Sequence, residues 1–244
     1  MKNEFPKQRR SEGAFTLIEM LVVIAIIGIL AGMLLPAISI AKTKAKETMA
    51  RAEMTTLNGA ISTYYGDYKC LPASTNASSR GVDFTFGTSV IGTKTGGGAG
   101  SPLDGQINIL PSLQKPIQTL GSPYQNVNSE VIAILSDAAY YPENSVTLHT
   151  YNSRSTQFYE GKPAASATSP GVDTNNILRD PWGSPYIITL DLNYDGKCVD
   201  PIWSGQFQTI VPGSSMIWSF GQLATMSFSQ PLNGPINKHL LHSW

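Results

Sequence analysis

The stretch GAFTLIEMLVVIAIIGILAGMLLPAI, residues 13–38, decides how the rest of the chain is read. From Met20 to Leu35 it runs for 16 residues without a charge or a strong hydrogen-bonding side chain, yet Glu19 stands at its mouth. Placing an ionised carboxylate in hydrocarbon costs about 3 kcal/mol or more, so an acid kept here is expected to have a partner and a use. As a helix, the 26 residues from Phe15 to Ile40 measure about 39 Å, enough to cross a hydrocarbon layer about 30 Å thick. Pro36 removes one backbone bond and crowds the carbonyl of Gly32, which predicts a kink or local melting there.

Ahead of the apolar run, residues 1–12 carry Lys2, Lys7, Arg9 and Arg10 against Glu4 and Glu12, a net charge of +2. Basic residues on this side hold the N-terminus in the cytoplasm and send the remainder outward. One reading is a permanent signal anchor. A second is a secretory signal cut after Ser39-Ile40-Ala41, whose small residues suit a signal peptidase; its apolar core is longer than the 7–15 residues usual there. Neither gives Glu19 a role.

A third reading does. FTLIEMLVVIAIIGILAGMLLPAI closely resembles the class III signal of type IV pilins and of the pseudopilins of type II secretion. The resemblance implies cleavage by a prepilin peptidase on the cytoplasmic side, before Phe15, and N-methylation of Phe15. Glu19 is then the fifth residue of the mature chain, paired during assembly with the N-terminal amine of a neighbouring subunit. The residue before the cut is usually Gly in that family, whereas here Ala14 follows Gly13; a cut after Gly13 would make Glu19 the sixth residue. Cleavage after Ala14 keeps Phe15 and Glu19 in register and leaves a mature chain with a net charge of −2.

Past Pro36 the chain has no further proline until Pro72 and is rich in helix-favouring Ala, Lys, Glu, Met and Arg. Leu57, Ala60, Ile61, Tyr64, Tyr65 and Tyr68 recur at helical spacing as one apolar stripe. Residues 15–68 therefore read as one helix of about 80 Å, as in the pilin spine. The expected organisation is a leader at 1–14, a transmembrane and filament-core helix at 15–41, an amphipathic continuation at 42–70, and a globular head at 71–244. Lys42, Lys44 and Lys46 read as a solvated face just outside the membrane.

Within the head, 71–127 reads as a flexible insertion, with turn-forming runs such as ASTNASSRG and GTKTGGGAGSP. The glycine run lacks the Gly-Lys-Ser/Thr ending of a phosphate-binding loop. A short helix is expected at 129–140 on the outside of the head, with Ser129 as N-cap and Glu130 in the first turn, stopped by Pro142. Strands and turns follow at 178–221. Asp180-Pro181-Trp182-Gly183 fits a type I turn, Tyr186 to Leu190 alternates as a half-buried strand, and SMIWSFG (215–221) is a second strand. A long helix, then loops, then short antiparallel strands gives an α+β, pilin-like class. DPWGSPY also resembles the turn of the major pseudopilin of type II secretion systems.

DLNYDGKCVD places Asp191, Asn193, Asp195 and Asp200 within ten residues around Gly196. Oxygen ligands on alternate residues of a tight loop suit calcium, though the twelfth position of an EF-hand frame is Ile202 rather than Glu and no helix leads in. The resemblance also implies a structural calcium near the C-terminal strands, but the Asp-Gly that often follows the family's Ser-x-Gly strand is replaced here by SFGQLATMS. The other reading of the loop is an acidic hairpin turn whose side chains accept backbone bonds.

Seventeen Lys plus Arg balance seventeen Asp plus Glu, so no basic field points to nucleic acid. Cys70 and Cys198 form one bridge or stay two separate thiols. His149, His239 and His242 complete no metal or catalytic constellation, and no nucleophile elbow or nucleotide fingerprint is present. No enzyme is expected. The sequence points to a type II secretion pseudopilus subunit, with a cytoplasmic N-terminus, a periplasmic head and a single span of the bacterial inner membrane. Its expected partners are copies of itself, other pseudopilins, the assembly platform and the prepilin peptidase. A type IV pilin for adhesion, motility or DNA uptake, and a membrane-anchored binding head that never polymerises, are the alternatives.

Overall fold

A computed structural model describes residues 16–79, 81–87, 128–138, 149–166, 169–199, 210–221 and 240–244. Gly13, Ala14, Phe15, Asp200, His239 and most of the expected 71–127 insertion lie outside the described residues; the helix expected over 129–140 ends earlier, at Ser136, where Asp137 turns left-handed. The chain divides into two units, residues 1–44 and 45–244.

Helix α1, Leu17–Tyr68, belongs to both. In the first unit every helical residue from Leu17 to Lys42 is exposed, and this part of the helix is long and apolar enough to cross a membrane. The helix runs through Pro36 without a break, so the local melting expected there does not occur.

In the second unit α1 is amphipathic. Ala50, Met54, Leu57, Ala60, Ile61 and Tyr64 are buried, following the stripe read from the sequence, while Tyr65 remains 40% exposed. That stripe shares one core with helix α3, Ser129–Ser136, and with strands β1 (Phe84–Phe86), β4 (Ile187–Leu190) and β7 (Ser215–Ser219). These strands and β8 (Leu241–His242) form an antiparallel sheet in the order β1-β4-β7-β8. Strands β2 (Gly171–Val172) and β3 (Leu178–Arg179) make one two-stranded ladder, and β5 (Lys197–Val199) and β6 (Ile210–Pro212) another. A single turn, α2 (Thr75–Ser78), capped by the Ser74 hydroxyl, follows α1.

Two expectations change. Helix α3 does not lie on the outside: Ser129 to Ile134 and Leu135 are all buried. Its apolar side chains are not confined to one stripe, and the Glu130 carboxylate accepts a hydrogen bond from the Ser74 amide, so even its acidic residue is satisfied inside. The N-cap position falls to Asn128, whose side chain instead donates to the carbonyls of Leu178 and Tyr186 and accepts from the Leu178 amide. Strand β4 is likewise buried on both faces rather than one, with Thr189 bonded to Thr85 across the ladder at 2.9 Å.

Polar ties complete the packing of α1 on the sheet. The Asn58 amide oxygen accepts from Ser215 Oγ at 2.5 Å, and the Glu53 carboxylate accepts from the hydroxyls of Tyr186 at 2.8 Å and Tyr159 at 3.4 Å. Burial pushes the Glu53 carboxyl upward, and the two tyrosine hydroxyls oppose that shift.

Candidate functional site

The start of α1 shows how Glu19 is held. Thr16 precedes the first helical residue, and its amide and hydroxyl both donate to Glu19 Oε2, at 2.8 and 2.7 Å. The Glu19 amide in turn donates to Thr16 Oγ1 at 3.3 Å. This is a reciprocal capping box: two of the orphan amides of the helix start are satisfied by side chains three residues apart. The Thr-x-x-Glu spacing was in the sequence, but Glu19 drew attention as a charge in hydrocarbon and its local partner was passed over.

The expected cation loop sits between β4 and β5. Asp191 Oδ1 accepts from the Asp195 amide at 3.1 Å and Oδ2 from the Gly196 amide at 2.9 Å. Asn193 Oδ1 accepts from the Asp195 amide at 3.1 Å, and Asp195 Oδ1 from the Lys197 amide at 2.9 Å. Tyr194 and Gly196 take positive φ, 58° and 80°, which folds the turn back on itself. The three side chains are thus brought together as an Asx-rich turn. Among the described residues no group of three or more His, Cys, Asp or Glu side chains is arranged to hold a metal ion.

The structure adds Asp83, which sequence reading missed because it lies 108 residues before Asp191. Its Oδ2 accepts from the Val199 amide at 2.7 Å, while Oδ1 is buried with no hydrogen-bond partner. Burial pushes this carboxyl up to about 6; the Val199 bond opposes the shift and the charges of Asp191 and Asp195 add to it. A folded-state value above the ordinary one means that Asp83 adds stability fully below about pH 3.8, and that this is lost as pH rises through about 6. In chelator, the thermal stability of the protein should therefore fall from pH 4 to pH 7 by an Asp83-dependent part of about 1 kcal/mol after solvent screening. Asp83→Asn should flatten that part in thermal unfolding curves; an unchanged slope would remove the coupling.

Cys70 is exposed and Cys198 buried, and both are free thiols. His149 Nδ1 lies 2.7 Å from Asp137 Oδ1 and 2.9 Å from Ser155 Oγ, so both partners meet the same ring nitrogen and no relay through the ring is formed. His242 stacks near Trp244, with ring centroids 4.8 Å apart.

The Asp180–Gly183 turn forms as expected. Asp180 Oδ1 accepts from the amides of Trp182 and Ser184, both at 2.9 Å, and Oδ2 accepts from Ser219 Oγ at 2.5 Å.

These features, an exposed apolar helix opening on a capped glutamate and a head built on its amphipathic continuation, agree with the comparison of the sequence with known families. Residues 9–35 match the family model described as the prokaryotic N-terminal methylation motif. The chain carries a prepilin-type signal. It is also similar to the type II secretion system core protein G of Pseudomonas aeruginosa, with 36% identity over 67 residues, covering 28% of this chain and 47% of that protein. The chain thus spans about half the length of the curated relative it matches. No solved structure matches the chain. A prepilin-type motif, similarity to a pseudopilin and an apolar N-terminal helix together fit a pilin-like protein anchored in a membrane.

Proposed function

We propose that this chain is a structural subunit of a type II secretion pseudopilus. It is made as a precursor, inserted with its N-terminus in the cytoplasm and its head in the periplasm, cut before Phe15 by the prepilin peptidase and N-methylated there. The processed subunits then assemble, with other pseudopilins and the inner-membrane platform, into a filament whose growth helps move folded proteins outward. The carrying observation is the prepilin-type signal at residues 9–35 joined to similarity with core protein G. The part of the chain at work is mechanical rather than catalytic.

Glu19 aligns the incoming subunit. The capping box holds its carboxylate at the helix start before assembly, and in the filament the same carboxylate meets the N-terminal amine of a neighbour, converting a costly lone charge into a matched pair. In the head, the Asp191, Asn193 and Asp195 oxygens, with Asp200 from the sequence, are of the hard donor type that calcium takes, although no three described carboxylates are arranged around an ion site. A bound calcium would supply positive charge among these carboxylates and relieve the repulsion at Asp83. The fit is one of donor chemistry, since each loop side chain already accepts a backbone amide.

Deleting the gene in the native host tests the reading. The expected result is that exported proteins accumulate in the periplasm while long surface filaments and motility persist. Loss of surface filaments with secretion intact would assign the chain to a type IV pilus instead.

A further inference from the structure

The Asp180–Gly183 turn presents an aromatic side chain that the assembly account does not use. Trp182 is half-buried against the core, and Lys46 Nζ stands 5.7 Å from the centre of its ring. The turn is held from behind: the Asp180 carboxylate takes the Trp182 and Ser184 amides, and Arg179 reaches the Gly183 carbonyl at 3.2 Å. Trp182 is therefore a fixed indole beside a basic side chain, not a loose surface residue.

Lys46 is six residues beyond Ile40, the last residue of the apolar run, so chain connectivity keeps it within about 20 Å of the end of that run in any conformation. As helix the distance is about 9 Å, close to the depth of a headgroup layer. Lys42 and Lys44 add two more exposed positive charges in the same short stretch. Indole rings settle at the boundary between hydrocarbon and water, and lysines just beyond a span draw anionic headgroups and lie their methylene stems along apolar surface.

The geometry points to a contact between the Trp182–Lys46 pair and the anionic phospholipid headgroups of the membrane that the apolar helix crosses. The inference rests on residues 17–40 spanning that membrane. In this account the DPWG turn is a foot: it seats the head on the bilayer surface while a subunit waits to be assembled, and the contact is broken when the subunit leaves the membrane. Charge complementarity and the shortness of the chain between span and pair favour lipid over an acidic surface of a second copy.

The test uses the full chain in vesicles of equal parts phosphatidylglycerol and phosphatidylcholine, with phosphatidylcholine brominated close to the headgroup. The spanning helix contains no tryptophan, so fluorescence reports on the head alone. Wild type should be quenched, Trp182→Phe should lose a large part of that quenching, and Lys42→Gln/Lys46→Gln should lose a comparable part only in vesicles containing phosphatidylglycerol. The lysine variant alters exposed side chains and guards against a misfolded Trp182→Phe. Equal quenching of wild type and both variants, in protein that resists extraction by alkaline carbonate, would overturn the foot while leaving the span intact. Quenching that is absent while emission shifts with protein density would overturn it in favour of a second copy. Release of the chain by carbonate would overturn the span and the foot together.

Discussion

Glu19→Ala should leave the precursor processed to the same N-terminus and yet yield no filaments. In the proposed account the peptidase acts ahead of Phe15, four residues before Glu19, whereas assembly brings the carboxylate to a neighbour's amine inside the apolar bundle. Without the acid, that amine is an uncompensated charge in hydrocarbon, a cost of about 3 kcal/mol, or a fall of more than about a hundredfold in the assembly equilibrium. The capping box introduces a second contribution, because alanine also releases the Thr16 amide and hydroxyl from their acceptor at about 1 kcal/mol. Glu19→Gln separates the two. Glutamine suits the third helical position of a capping box, so it restores the cap without the charge. If filament yield follows the charge, Gln fails as Ala does. Filaments of normal yield from Glu19→Gln would show that the cap alone is what the chain needs, and normal filaments from Glu19→Ala would remove both roles.

Asp180→Ala should destabilise the head more than any change on its surface. The carboxylate is fully buried and joins the turn to the central strand β7 through Ser219. Burial raises its pKa, while the hydrogen bonds from Ser219, Ser184, Trp182 and Gly183 pull it down. Alanine leaves two half-buried amides and a buried hydroxyl without their acceptor, which costs about 3 kcal/mol and lowers the midpoint of thermal unfolding by about 6–12 °C in a domain of this size. Asp180→Asn keeps a carbonyl oxygen for the two amides and should lose less. An unfolding midpoint for Asp180→Ala within a degree or two of wild type would mean that the turn is not tied to the sheet in this way.

The long helix was legible because its two signals are local. An unbroken apolar run and a stripe at Leu57, Ala60, Ile61 and Tyr64 are properties of consecutive residues, and both appear in α1. The Asp180 turn was legible for the same reason, since Asp, Pro and Gly each act on their own stretch of backbone. Helix α3 was misplaced because burial is decided by what arrives from elsewhere: Glu130 reads as a surface residue until the Ser74 amide reaches it. Pro36 predicted a kink or local melting, and the helix carries through it without melting. The cation loop was legible as a cluster of Asp191, Asn193 and Asp195, yet their hydrogen bonds to the loop's own amides were not, and Asp83 enters only when β1 pairs with β4. Contacts that depend on strand pairing carry no signature in a single stretch of sequence.

The measurement that bears most directly on the central claim is the intact mass and first residue of the protein purified from its native envelope. The account predicts N-methylphenylalanine at Phe15, with residues 1–14 removed. A mature chain beginning at Lys42 would make this a secreted protein, and an uncut chain would make it a simple anchor; either would contradict the filament account.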